Sequence, residues 1–274
     1  MPELPEVETV KLSLAPALTG RTISKVQLIK PVVVAHPGAD DFVQHLTGRQ
    51  ITGINRRGKY VLIELNDGSA LVIHLRMTGR LYMAAADDEP PKHTHVIFYL
   101  DDGSRCFFND GRRFGRLWLL AKDEEDTVTG MAKLGPEPFD AAFNAEYLQN
   151  KLGKRKVVIK QGLLDQTILA GLGNIYVDET LFRAGISPLR PAGEVTAEEW
   201  QKLASVIPSL LKEAIEHRGT SFRDYRDGFG RKGDFLSRLK VYQRKGEPCF
   251  NCKTPLERTV VAGRSSFYCL KCQK

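Results

Sequence analysis

The apolar positions at the start of the chain follow a helical period. After Pro5, suited to a first helical position, Val7, Val10, Leu14 and Leu18 recur at spacings of three, four and four, and Gly20 can close the run. Pro16 falls inside it, so a kink or a stop is expected there. Between residues 22 and 120 the period changes to that of strands. "YVLIEL-NDGS-ALVIHL" and "HVIFYL-DDGS-RCFF" are apolar runs joined through Asp-Gly turns, and they read as hairpins. The pattern predicts an antiparallel β-sandwich or barrel.

"LGPEPFD" (134–140) is proline-rich and reads as a linker. Beyond it the period is helical again. Thr196 to Glu199 fits a capping box, and Trp200, Leu203, Ile207, Leu210, Leu211 and Ile215 follow at helical spacing, with Pro208 among them. The expected organisation is an N-terminal sandwich domain over 1–133, a linker over 134–147, a helical domain over 148–228 and a basic segment with a small module over 229–274. With 42% hydrophobic and 27% charged residues, packed cores rather than disorder are expected. No apolar run approaches the roughly 18–20 residues needed to cross a bilayer, and the start lacks the basic-then-apolar pattern of a secretion signal. The chain is expected to be cytoplasmic and monomeric, with no membrane partner.

Charge adds a partner class. The formal net charge is +7, but residues 229–274 hold eleven Lys and Arg against three acids, while the preceding residues hold 29 against 30. A basic terminal module favours a polyanion such as nucleic acid. Inside that module "CFNC" and "CLKC" place Cys249, Cys252, Cys269 and Cys272 as two C-x2-C knuckles separated by sixteen residues. That spacing suits one tetrahedral Zn²⁺, and four thiolates leave no open position for chemistry, so the metal is expected to be structural. Cys106, in a strand-like run, reads as a buried apolar residue. His93 and His95 in "HTH" lack ligand partners at metal-binding spacing. Two classes stay open on these grounds: a zinc protein that binds DNA without chemistry, and an enzyme acting on nucleic acid.

The terminus bears on that choice. With Met1 removed, Pro2 would carry a free secondary amine. An α-amine titrates near 7.7–8.0, so part of it is uncharged and nucleophilic at neutral pH. Addition to a sugar aldehyde carbon gives an iminium, an electron sink that makes the neighbouring C–H acidic. Glu3, with Glu6 behind it, stands where a carboxyl group could move protons.

The chain resembles a known family through "PELPEVE", "RRGKY", "HLRMTGRL", "DGRRFG", "DQTILAGLGNIYVDE", "VYQRKGEPC" and "VAGRSSFYCLKCQK", in that order from Pro2 to the last cysteines. It looks like bacterial formamidopyrimidine-DNA glycosylase, an 8-oxoguanine glycosylase and AP lyase. The resemblance implies an α+β fold: an N-terminal antiparallel β-sandwich with flanking helices, a helix–two-turns–helix domain and a zinc-ribbon finger. It implies that the partner is double-stranded DNA containing an oxidised purine or an abasic site. It implies Pro2 as Schiff-base nucleophile, Glu3 as general acid with Glu6 assisting, Lys59 as proton donor in β-elimination and Arg264 in δ-elimination. His93, Arg112, Arg155 and Asn174 fall at DNA-contact positions, the family also carrying lysine at 155. Met77, Arg112 and Phe114 would fill the gap left by an extruded nucleotide, which must leave the stack for its sugar to be attacked. Thr220 and Tyr225 lie in a loop expected to close over the flipped base. There "HRGTSFRDYRDGFGRKG" carries Arg218, Arg223 and Arg226 beyond the commoner family pattern. The runners-up are an endonuclease VIII-like enzyme for oxidised pyrimidines, against which "PELPE" rather than "PEGPE" argues, and a catalytically dead damage binder.

Overall fold

The computed structural model describes residues 1–124, 126–222 and 225–274. The chain divides into two compact units, one formed by Met1–Ala132 with His217–Leu236, the other by Lys133–Glu216 with Ser237–Lys274.

The first unit opens with helix α1 (Leu4–Leu18), followed by β1 (Ile23–Leu28), β2 (Val34–His36), α2 (Ala39–Leu46), β3 (Ile51–Arg57), β4 (Tyr60–Leu65) and β5 (Ala70–His74). Strands β6 (Arg80–Ala84), β7 (Thr94–Leu100), β8 (Arg105–Asn109) and β9 (Arg116–Leu120) complete it. They form two open sheets, ordered β1-β7-β8-β6 and β2-β9-β5-β4-β3. Both expected hairpins are present as β4–β5 and β7–β8. The short β2 departs from the antiparallel expectation by pairing parallel to β9.

One core joins the two sheets. Val26, Val96, Phe98 and Phe108 of the first meet Ile54, Val61, Ile63, Ile73 and Leu117 of the second, with Val7, Val10, Leu14 and Leu18 of α1 in the same cluster. Each such burial contributes on the order of 1.5–3 kcal/mol relative to water. This packing is why α1 forms despite its proline. The helix runs two residues beyond Pro16, which lies on its exposed side in the last turn, where little intrahelical bonding is forgone.

The second unit holds α3 (Ala145–Leu152), α4 (Ile159–Leu164), α5 (Asn174–Ala184), α6 (Ala197–Glu216) and the hairpin β10 (Glu257–Val261)–β11 (Arg264–Tyr268). The capping box of α6 forms as expected, Thr196 N–H donating to Glu199 Oε2 at 2.9 Å and Glu199 N–H to Thr196 Oγ1 at 3.3 Å. The proline-rich stretch at 134–140 is held rather than free: Gly135 N–H donates to Gln166 O and Ala170 N–H to Pro136 O. A side chain at Gly135 would stand 2.4 Å from the Ile168 carbonyl, so that approach requires glycine.

Two buried acids of α5 join this helix to the finger. Asp178 pairs with Lys160 Nζ at 2.6 Å and accepts Phe267 N–H at 2.9 Å. Glu179 accepts the N–H groups of Lys240, Val241 and Tyr242 at 2.8–3.0 Å. Among the described residues, no helix is long and apolar enough to cross a membrane.

Candidate active site and nucleic-acid interface

The terminus is built into the first unit. Pro2 is buried, Glu3 is 2% exposed and Glu6 1%, while Leu4 and Val7 sink α1 into the core. The Glu6 carboxylate is divided between two distant segments. Its Oε2 accepts Glu3 N–H at 2.8 Å, which caps α1. Its Oε1 accepts Thr220 N–H at 2.7 Å, from the segment that returns to this unit after α6. Gly219 adopts φ +74°, and a Cβ there would lie 2.6 Å from Glu6 Oε1, so the close approach depends on glycine. Tyr225, expected at the flipped base, is buried and donates its hydroxyl to Glu6 O at 3.2 Å. Burial and the Glu6 charge push that hydroxyl well above the ordinary tyrosine value. Thr220 and Tyr225 therefore tie the 217–236 segment to α1. Arg218 takes φ +56°, Arg226 donates to Tyr225 O, and Arg223 lies outside the described residues.

Lys59 sits in the tight β3–β4 turn, beside Gly58 at φ +54°, and is 7% exposed. Arg56 fixes this turn to α1: its Nε donates to Glu8 Oε2 at 2.7 Å and its Nη1 to Gly58 O at 3.0 Å. Across β4–β5, Tyr60 stands edge-on to His74 at 4.6 Å. Burial, with the positive charges of Arg76 and Lys59, pushes the His74 imidazole down to about 3. Its Nδ1 accepts Arg76 N–H at 3.0 Å, which fixes the turn leading into Met77.

Met77 and Phe114 are 41% and 49% exposed. Arg112 stacks on Phe114 at 4.6 Å, and both lie exposed in the β8–β9 loop. His93 is exposed at φ +74° before β7. These four surface residues share one buried neighbour that the sequence reading missed. Asp110, 0% exposed, bonds to the Met77 loop through Thr78, to the His93 segment and to its own loop. Its only sequence signal is an Asp-Gly start to "DGRRFG", which reads as turn chemistry.

In the second unit Arg264 leaves a two-residue turn, Ala262-Gly263, with both residues at positive φ, the geometry of a tight hairpin. It is exposed, and with Arg155, Val157, Gln161 and Asp165 it lines an open cleft of about 290 Å³. Arg155 stands 3.8 Å from Asp165. Asn174 begins α5, as expected of a phosphate contact, yet its side-chain amide is turned inward and donates to Ser265 O at 2.9 Å.

The sulfurs of Cys249, Cys252, Cys269 and Cys272 all lie within 4.8 Å of one another, and none is in a disulfide. Cross-knuckle pairs stand at 3.9 Å (Cys249–Cys272) and 3.4 Å (Cys252–Cys269). Four thiolates at 2.3 Å from one tetrahedral Zn²⁺ would stand about 3.8 Å apart, so the donor set fits a single zinc ion. Phe182, Val241, Leu256 and Phe267 form the small apolar cluster behind it.

Two outcomes follow from this geometry. His74 binds its proton less tightly in the folded state than in the unfolded chain, where its value is near 6.5, so the unfolded state takes up more protons as pH falls. Its contribution to stability is complete above about pH 6.5 and is lost progressively towards about pH 3. Urea denaturation should show wild type losing roughly 2–3 kcal/mol more than His74→Gln between about pH 7 and pH 4. Chelation of zinc should unfold the finger and abolish high-affinity DNA binding, while far-UV circular dichroism retains the thermal transition of the first unit.

Comparison with known proteins agrees with this arrangement. The formamidopyrimidine-DNA glycosylase N-terminal domain model matches residues 1–117, the formamidopyrimidine-DNA glycosylase H2TH domain model 134–226, and a zinc finger found in FPG and IleRS 246–274. The formamidopyrimidine-DNA glycosylase of Desulforamulus reducens is 50% identical over 275 residues, covering 100% of this chain and 99% of the relative. A point mutant of the Lactococcus lactis FPG in complex with DNA containing Fapy-dG superposes with a TM-score of 0.94 at 36% identity, covering 100% of both chains. The Lactococcus lactis Fpg bound to DNA containing an abasic site gives a TM-score of 0.93 at 36% identity, covering 99% of both. A two-sheet sandwich with helix α1 in its core, a helical domain and a four-cysteine finger, matched along the whole length, place this chain in the formamidopyrimidine-DNA glycosylase family.

Proposed function

We propose that this chain, a DNA glycosylase of base excision repair, removes oxidised purines (8-oxoguanine and formamidopyrimidines) from duplex DNA through a Schiff base on Pro2. It then cleaves the abasic strand by β,δ-elimination. The observation that carries this reading is the Glu6 carboxylate, which holds residues 2 and 3 in a defined position by bonding to Glu3 N–H and Thr220 N–H. A frayed terminus could not present a nucleophile repeatedly to one carbon.

The chemistry follows from these residues. Removal of Met1 converts the Pro2 amide nitrogen into a secondary amine, part of which is neutral near pH 7–8. That nitrogen attacks C1′ of an extruded nucleotide, the C1′–N glycosidic bond breaks with its electron pair leaving on the damaged base, and the proton given up by the Pro2 nitrogen neutralises that base. Glu3 supplies a proton as the deoxyribose ring opens, giving the iminium. Loss of a C2′ proton then expels the 3′ phosphate, with Lys59 as proton donor. A second elimination expels the 5′ phosphate with Arg264 in the same role, leaving a one-nucleotide gap with phosphate at both ends. Met77, Arg112 and Phe114 occupy the vacated stack, with Arg112 offering its donors to the orphaned base. His93, Arg155 and Asn174 hold the DNA backbone, the last through its place at a helix start. The four finger cysteines would hold a structural zinc that keeps the Arg264 hairpin folded.

Borohydride reduction of the iminium gives the direct test. Wild type incubated with an abasic duplex should yield a covalent protein–DNA species, and Pro2→Gly should lower its rate of formation at least about tenfold while retaining DNA affinity within about threefold. Undiminished trapping by the variant would contradict the assigned nucleophile.

A further inference from the structure

We propose that Asp110 is the positioning residue that assembles the gap-filling side chains into one unit and thereby sets recognition of the orphaned base. The inference rests on the nucleotide-extrusion reading above. It starts from a buried carboxylate whose partners are all loops. Asp110 Oδ1 accepts Thr78 Oγ1–H at 2.5 Å and Arg112 N–H at 3.1 Å, and Oδ2 accepts Gly115 N–H at 2.7 Å. Its backbone N–H donates to His93 O at 3.0 Å, and its carbonyl accepts from His95 Nε2 at 2.7 Å.

The bonds of the carboxylate and of the backbone N–H all end on or beside a residue proposed to touch DNA. Thr78 follows Met77, Arg112 is itself a contact, Gly115 follows Phe114, and His93 supplies the carbonyl. The 75–79 loop, the start of β7 and the 110–115 loop are far apart in sequence, and Thr78–Asp110 joins the first loop to the second. Thr78 Oγ1 also accepts Arg112 N–H at 3.3 Å, which closes a small ring of bonds beneath the exposed surface. Gly115 is required for the approach, since a Cβ there would stand 2.6 Å from Phe108 Cζ and 3.1 Å from Asp110 Oδ2. A carboxylate has acceptor capacity on both oxygens, which this set of three donors demands. An amide would present a donor on one side of this set, facing either the Gly115 N–H or the Thr78 and Arg112 donors, and could not satisfy all three.

Asp110 touches no DNA in this account. It acts by keeping Met77, Arg112 and Phe114 in register, so that filling the gap does not first require ordering two loops. The consequence is selective: duplex recognition depends on Asp110, and handling of an unpaired strand, which has no orphaned base, does not.

Fluorescence anisotropy with a stable abasic-site analogue reads this without any covalent step. Three ligands are compared: the analogue opposite cytosine, opposite adenine, and in the unpaired strand. Asp110→Asn, and Thr78→Val as a near-isosteric variant that spares the carboxylate, should each weaken duplex binding about tenfold and shrink the cytosine-over-adenine preference, with single-strand affinity changed less than about twofold. An unaltered preference between opposite bases, or equal loss on duplex and single strand, overturns the proposal and leaves Asp110 a general stabiliser of the fold. Because no Schiff base is read, failure of Pro2 to trap abasic DNA would be a separate result.

Discussion

Everything proposed for this molecule depends on immobilising a chain end. Ends fray because ordering each backbone residue costs about 1–2 kcal/mol and few contacts oppose it. Here Leu4 and Val7 are both fully buried, and Val7 joins the first turn of α1 to the sandwich core. The Glu6 carboxylate then fixes the residue that follows Pro2 on one side and the Thr220 backbone on the other. The position of residue 2 is thus coupled to a segment more than two hundred residues later, and the left-handed glycine at 219 gives that segment room to reach it.

The same device recurs. A buried carboxylate accepts hydrogen bonds from a segment remote in sequence: Glu6 from the Thr220 N–H, Asp110 from the Thr78 hydroxyl, Asp178 from the Phe267 N–H, and Glu179 from the N–H groups of 240–242. Burying a carboxylate is costly unless its lone pairs are filled, so each of these sites specifies one arrangement of the loops around it. The result is a scaffold in which exposed groups such as Phe114, Met77 and Arg264 are presented by well-anchored turns. The excess of positive charge in residues 229–274 adds long-range attraction for a phosphate backbone without specifying sequence.

Much of this was legible in the sequence. The Asp-Gly turns marked β4–β5 and β7–β8, the capping box marked α6, and the paired C-x2-C motifs marked the cluster of four sulfurs. Local rules explain those successes, because each signal lies within a few residues of its effect. The misses have the opposite character. Pro16 did not stop α1, because burial of Leu14 and Leu18 outweighs one lost bond in a terminal turn. The proline-rich 134–140 stretch, read as a linker, bonds to Gln166 O and the Ala170 N–H, contacts that no local pattern records. Tyr225, placed by the resemblance at a flipped base, also bonds Glu6 O across more than two hundred residues, which no local pattern records. Asp110 carries no sequence signal of its role, since its partners at Thr78 and His93 are brought to it only by the fold.

The central claim is that the reagent is the imino nitrogen of residue 2. Protease digestion and tandem mass spectrometry of the borohydride-reduced protein–DNA adduct locates the bond directly. The expected product is an N-terminal peptide that begins at Pro2, lacks Met1 and carries the sugar remnant on its α-nitrogen. A remnant on Lys59 or any other lysine, or an adduct formed with Met1 still in place, would contradict it.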